Sequence, residues 1–155
     1  MGLSKAYFAG GCFWGVEFLF QKQIGVLEVV SGYMGGDIEN PTYEIVCSGF
    51  SGHLEVVEVV FDESIVSYGT LVKLFFEIHD FSQLNGQGPD LGEQYLSAIF
   101  YYNENELKIA EKVIEELKKK NLKVATRHLP MSIFWKAEEY HQNYYAKTGT
   151  APYCH

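Results

Sequence analysis

Short apolar runs and amphipathic stretches alternate along the chain, and glycines mark most of the breaks between them. Residues 5–9 are an apolar run that reads as a strand. Gly10 and Gly11 end it before an aromatic stretch, Phe13, Trp14, Phe18 and Phe20, which reads as a helix to Gln23 with Cys12 at its first turn. Residues 26–33 read as a buried strand. Residues 52–61 read as another, in which Glu55, Val57, Val59 and Phe61 share one face by two-residue alternation. Residues 68–79 carry Leu71, Leu74, Phe75 and Ile78 at helical spacing. Residues 94–102 are rich in β-formers and predict a strand. Asn103 then caps a helix that turns Leu107, Ala110, Ile114 and Leu117 inward, and Lys118, Lys119 and Lys120 complement the dipole at its far end. Residues 130–137 predict one more strand and residues 138–147 a last short helix. The stretch from Thr148 to His155 has no periodicity and is expected to be a mobile tail.

Strand, helix, strand, strand, helix, strand is the split βαβ order of a ferredoxin-like sheet with helices packed on it. The expected fold class is therefore α/β of the α+β kind, in a single catalytic domain over residues 1–155 whose last residues, 148–155, form the tail. The length of 155 residues and mass of 17.6 kDa fit one domain with one sizeable core. At 47% hydrophobic and 21% charged, the composition is that of a globular chain. The charge balance, 12 − 20 = −8, repels a phosphate backbone, so nucleic acid and anionic membrane are not expected partners. No apolar stretch reaches the ~18 residues of a bilayer span, and the start of the chain lacks an apolar signal core, which leads to a cytoplasmic expectation.

Cys12, Cys47 and Cys154 are an odd, sparse set without a Cys-x-x-Cys pair, which fits neither a disulfide framework nor a paired zinc knuckle. The histidines, His53, His79, His128, His141 and His155, form no metal-ligand spacing, so no metal is expected. Redox or nucleophilic chemistry, or plain burial, remain for the thiols. Position favours chemistry at Cys12: a thiol at a helix start meets unpaired N–H groups and the positive dipole end, which favour thiolate and lower its pKa from about 8.5. Phe13 and Trp14 set two rings beside it, suited to a small apolar group bound next to the sulfur. The same three residues would also fit an ordinary packed core.

Gly11-Cys12-Phe13-Trp14-Gly15 resembles the nucleophile motif of the peptide methionine sulfoxide reductase A family. The resemblance continues in order through residues 32–36, 40–44, 46–49, 52–57, 79–80, 85–95 and 137–142. It implies reduction of methionine sulfoxide, free or in a protein, with selectivity for the S epimer. By the same resemblance Cys12 is the nucleophile and Glu55 the acid serving the sulfoxide oxygen. Tyr43 and Tyr95 are donors to that oxygen, Phe13 and Trp14 the methyl pocket, and Asp90 a supporting residue.

Chemistry makes sense of these types, because a sulfoxide sulfur is a poor electrophile until its oxygen is protonated or strongly hydrogen-bonded. Glu55 shares strand parity with Val57, Val59 and Phe61, which turns it toward the core and is expected to raise its pKa; an exposed place at a frayed strand start is the plain alternative. His53 and His141 are expected to be structural hydrogen-bonders. The chain departs from the family at Phe81-Ser82, where Pro and Thr are common, and at Leu96, where Arg is common. Its C-terminus keeps one tail cysteine, Cys154, and the expected reset is a Cys12–Cys154 disulfide reduced by thioredoxin, with Cys47 a buried residue or a back-up partner. Thioredoxin or dithiothreitol is the external reductant, no bound cofactor is expected, and the enzyme is expected to be a monomer. A cysteine hydrolase would need a Cys-Gly-Ser-Cys-Trp signature and two lobes. A mere binding module for methyl-sulfur ligands would show no turnover with a reductant.

Overall fold

A computed structural model of the chain describes residues 3–48, 51–87 and 90–148. The first strand, β1 (Leu3–Gly10), runs into helix α1 (Phe13–Gln21), and β2 (Val26–Met34) returns. A one-turn helix, α2 (Tyr43–Cys47), precedes β3 (Leu54–Asp62), which is followed by α3 (Tyr68–Glu77). Two short strands, β4 (Gly86–Gln87) and β5 (Asp90–Leu91), and a 3-10 turn (Glu93–Tyr95) lead into β6 (Ser97–Tyr101) and α4 (Glu104–Lys119). The chain then passes through β7 (Arg127–Pro130), β8 (Trp135–Lys136), a second 3-10 turn (Glu139–His141) and α5 (Tyr144–Thr148).

The main sheet has the strand order β7-β6-β1-β3-β2-β8. Its four central strands are mutually antiparallel, β6-β1-β3-β2, which is the expected split βαβ topology; β7 joins β6 in parallel and β8 joins β2 antiparallel. Helix starts follow local chemistry: the side chains of Thr42, Ser67 and Asn103 each accept a backbone N–H from the first turn of α2, α3 and α4.

Both faces of the sheet are covered. Phe8, Val57, Val59 and Phe61 belong to the larger core with Phe13, Val16 and Phe20 of α1, Leu71 and Phe75 of α3, and Ala110 and Ile114 of α4. Tyr7, Ala9, Met34, Leu54, Val56, Ala98 and Phe100 form the other face, over which Leu129, Met131 and Phe134 close. Phe8 lies at the centre of an aromatic stack, with Phe20 and Phe75 each 5.1 Å away between ring centroids. Glu55 therefore has the parity of the helix-covered face, as its alternation with Val57, Val59 and Phe61 predicts.

The structure corrects several local expectations. Residues 93–95 are a 3-10 turn, so the strand expected from residue 94 begins at Ser97. Of the strand expected over residues 130–137 only Trp135–Lys136 forms β8 and Pro130 ends β7, which lies mostly before that range and on the opposite edge of the sheet. The helix expected over residues 138–147 is broken, because Gln142 is extended and Asn143 takes a left-handed φ of 54°. Thr148, assigned to the tail, closes α5, while the rest of the tail lies outside the described residues.

Candidate active site

The turn between β1 and α1 sets Cys12, the candidate nucleophile. Gly11 has φ of 93°, a region that costs a side chain dearly, and this lets the chain pass from strand to helix within two residues. Cys12 then occupies the N-cap position of α1, with non-helical φ of −56° and ψ of 121°, and its carbonyl accepts the Val16 N–H at 3.4 Å. Its side chain makes no capping hydrogen bond, and it is 8% exposed. The thiol thus stands at the positive end of α1 without being committed to the helix.

Glu55 comes to the same helix end from β3, at the register position opposite Tyr33 of β2. It is 1% exposed, and its Oε1 accepts the Phe13 N–H at 3.2 Å. Acid and thiol are therefore joined through one peptide unit. A carboxyl so deeply buried favours its neutral form, the form that can give a proton.

Two tyrosines complete the polar wall. Tyr43 opens α2; its hydroxyl is hydrogen-bonded to the Cys47 thiol one helical turn on and to the Tyr95 hydroxyl. Burial, with Glu55 nearby, pushes both tyrosines above the ordinary phenol range, so both stay protonated donors. Tyr95 is delivered by the 3-10 turn after the β4–β5 hairpin, and Asp90 of that hairpin bears electrostatically on it.

The backbone around Tyr43 is clamped. Glu138 accepts from the Tyr43 N–H at 2.9 Å with one oxygen and from the Tyr33 hydroxyl at 2.8 Å with the other. His53 holds the loop leading to α2: its Nδ1 accepts the Gly36 N–H at 3.1 Å, which leaves Nε2 to donate to the Ile38 carbonyl at 2.7 Å. Gly36 has no room for a side chain there, since a Cβ would meet the Ser51 carbonyl oxygen at 2.3 Å. His53 is structural, as expected.

The apolar wall is aromatic. Phe13 is 1% exposed and forms the floor, between Tyr33 and His141 at 5.7 and 5.1 Å. Trp14 is partly exposed and lies flat on Tyr144, 3.6 Å between centroids and 4° between planes. Trp14 Nε1 donates to His141 Nδ1 at 2.9 Å. An indole nitrogen only donates, so His141 Nδ1 carries no proton, and burial holds the imidazole pKa below its usual range. His141 is therefore the neutral tautomer with its proton on Nε2. That atom is buried and has no partner among the described residues, while the Tyr43 ring lies 4.5 Å from the imidazole.

The structure brings together Cys12, Glu55, Tyr43, Tyr95, Phe13, Trp14 and, behind Tyr95, Asp90; Cys154 lies outside the described residues. Sequence reasoning missed three members. His141 was read as structural only, yet it sits among the site's rings; Tyr144 and Glu138 were not singled out, although Glu138 and His141 both fall in the last quoted block. Cys47 is corrected as well: it is exposed rather than buried, and its thiol touches Tyr43 and Gln94. Among the described residues no group of three or more His, Cys, Asp or Glu could hold a metal ion.

Comparison with known proteins gives the family and the fold. A family model described as peptide methionine sulfoxide reductase matches residues 4–155. The peptide methionine sulfoxide reductase MsrA of Nautilia profundicola is 53% identical over 152 residues, covering 98% of this chain and 88% of that protein. The crystal structure of Mxr1 from Saccharomyces cerevisiae in reduced form superimposes with a TM-score of 0.92 at 33% identity, covering 99% of this chain and 90% of that one. Mxr1 in complex with Trx2 matches at 25% identity with a TM-score of 0.66, over 92% of this chain and 85% of that one.

Proposed function

The chain belongs to the peptide methionine sulfoxide reductase family, and on that premise we propose that it reduces the S epimer of methionine sulfoxide by direct attack of Cys12 on sulfur, with Glu55 supplying the proton. The observation that carries this reading is the hydrogen bond from Phe13 N–H to Glu55 Oε1, which ties the buried acid to the residue next to the nucleophile.

The substrate methyl group lies against Phe13 and Trp14, and the sulfoxide oxygen faces Glu55, Tyr43 and Tyr95. The Cys12 thiolate attacks the sulfur while the Glu55 proton moves to the oxygen. The substrate S–O bond breaks and the hydroxyl is transferred to Cys12, giving methionine and a Cys12 sulfenic acid whose hydrogen came from Glu55. Substrate sulfur gains two electrons and Cys12 sulfur loses them. The two tyrosines and the buried acid act where negative charge grows on oxygen, which is where fixed donors lower a barrier most.

The sulfenic acid then condenses with the Cys154 thiol, releasing water and forming a Cys12–Cys154 disulfide. A dithiol of the thioredoxin class reduces that disulfide and restores both thiols. The complex of Mxr1 with Trx2 supports this partnership. Protein-bound and free methionine sulfoxide are both substrates, and the chain acts as one monomeric catalytic unit in the cytoplasm without a bound cofactor. No helix among the described residues is long and apolar enough to cross a membrane.

Cys12→Ser tests the reading. It removes reductase activity on the S epimer by at least ~10³-fold while the circular dichroism spectrum is unchanged, because a serine at the same helix start is not ionised at neutral pH. Activity within tenfold of the parent would overturn it.

A further inference from the structure

Glu17 is a buried carboxyl with no part in the chemistry described above. It lies on α1, one turn beyond Cys12, and is 1% exposed. Its Oε1 accepts the Asn143 N–H at 2.7 Å and its Oε2 the Ser31 hydroxyl at 3.2 Å, and the Tyr144 N–H also donates to it. These are the backbone donors where the C-terminal arm turns into α5. Asn143 does not serve them itself: its φ is 54°, and its side-chain oxygen accepts instead from Gln21 Nε2 at 2.5 Å. Beside it, Gln142 fastens the same arm to β2, exchanging hydrogen bonds with Ser31 N at 2.9 Å and Ser31 O at 2.8 Å. The next residue, Tyr144, is the one stacked on Trp14.

We propose that Glu17 is a positioning residue for the substrate pocket: by gathering the backbone N–H groups of Asn143 and Tyr144 onto the nucleophile's own helix, it holds the Tyr144 ring against Trp14. The inference rests on the reading of Trp14 as part of the methyl pocket. It adds a route by which proton concentration reaches that pocket. Ionised, the carboxylate offers two acceptor oxygens to the arm and to Ser31; protonated, it has one free acceptor and a hydrogen to place. Burial pushes Glu17 up to about 7, opposed by its N–H and Ser31 partners and by Lys147, which faces it from α5 and is itself paired with Glu139. The cost of burying the charge outweighs those partners: the carboxyl keeps its proton better with the arm docked than with it released, so the arm is held most firmly below about pH 7 and loosens as pH rises through it.

The test uses Glu17→Gln in the full chain, a neutral near-isostere that retains an acceptor for the arm. At about pH 8, where the parent's carboxyl is ionised and the arm loosened, the variant is expected to show a KM for methionine sulfoxide roughly fivefold below the parent's, with the single-turnover rate at saturation unchanged. At about pH 6 the parent, now protonated at Glu17, converges on the variant. A KM equal to the parent's at both pH values, or a loss in the saturated rate instead, overturns the proposal.

A second readout is independent of turnover. The chain has two tryptophans, so Trp135→Phe leaves Trp14 as the sole indole. Its emission is expected to titrate near neutrality in that background and not when Glu17→Gln is added; any transition from His141, hydrogen-bonded to Trp14, is common to both. Emission that titrates identically in both overturns the proposal. Added methionine sulfoxide should also shift Trp14 emission. If it does not, the pocket reading fails, while the pH comparison still judges Glu17.

Discussion

In the proposed chemistry Glu55 has to be buried enough to keep a proton and close enough to the thiol to use it. Its place in β3 fits that role, since strand parity turns it under the helices and its carboxyl accepts the first N–H of α1. Because that proton matters chiefly in the transition state, Glu55→Gln is expected to slow the single-turnover reaction by ~10²-fold while substrate affinity changes by less than about threefold. A rapid-quench measurement of methionine at saturating sulfoxide checks this, and an unchanged rate with weakened binding would contradict it. The positions of Cys12 and Glu55 in the fold were legible for local reasons, since a double glycine before an aromatic stretch marks a helix start and two-residue alternation assigns a face; their roles came from the family resemblance. His141 and Tyr144 were not, because their roles arise from rings packed against Trp14 across 127 residues or more of chain, and no local pattern records such a contact.

Elements long enough to show a full period were also legible. The four central strands and α1, α3 and α4 lie where hydrophobic spacing places them, and Asn103 caps α4 as expected. Shorter pieces were not. α2 has five residues and the strands of the β4–β5 hairpin two each, too few for any period to register, yet they carry Tyr43, Cys47 and Asp90. At the break the Asn143 N–H is held by Glu17, a tertiary partner that sequence spacing does not reveal.

At this scale one of the two candidate recycling thiols has a described setting. Cys47 lies in α2, and although the residue is exposed, partial desolvation of its sulfur together with the nearby Glu55 pushes its thiol up, away from the thiolate that exchange requires. Cys154→Ser is therefore expected to yield one methionine per chain without reductant but to lose thioredoxin-driven turnover, while Cys47→Ser keeps it. Steady-state assays coupled to thioredoxin read the difference. Loss of recycling in the Cys47 variant alone would reassign the role to α2.

Taken whole, the molecule is a split βαβ sheet in which one helix start carries the thiol, a central strand the acid, a one-turn helix and a 3-10 turn the two hydroxyl donors, and the C-terminal arm the last aromatic wall. The order of elements along the chain was sufficient to give the central topology. The edge strands β7 and β8, of four and two residues, were added by tertiary packing and could not be read from periodicity. The central claim is that the protein itself supplies the two electrons, and the most direct test gives the reduced enzyme excess S-methionine sulfoxide with no reductant and weighs both products. The account predicts one equivalent of methionine per chain and a protein mass lower by two hydrogens, the mark of a disulfide formed after a sulfenic acid. No methionine, or methionine released with the protein mass unchanged, would contradict it.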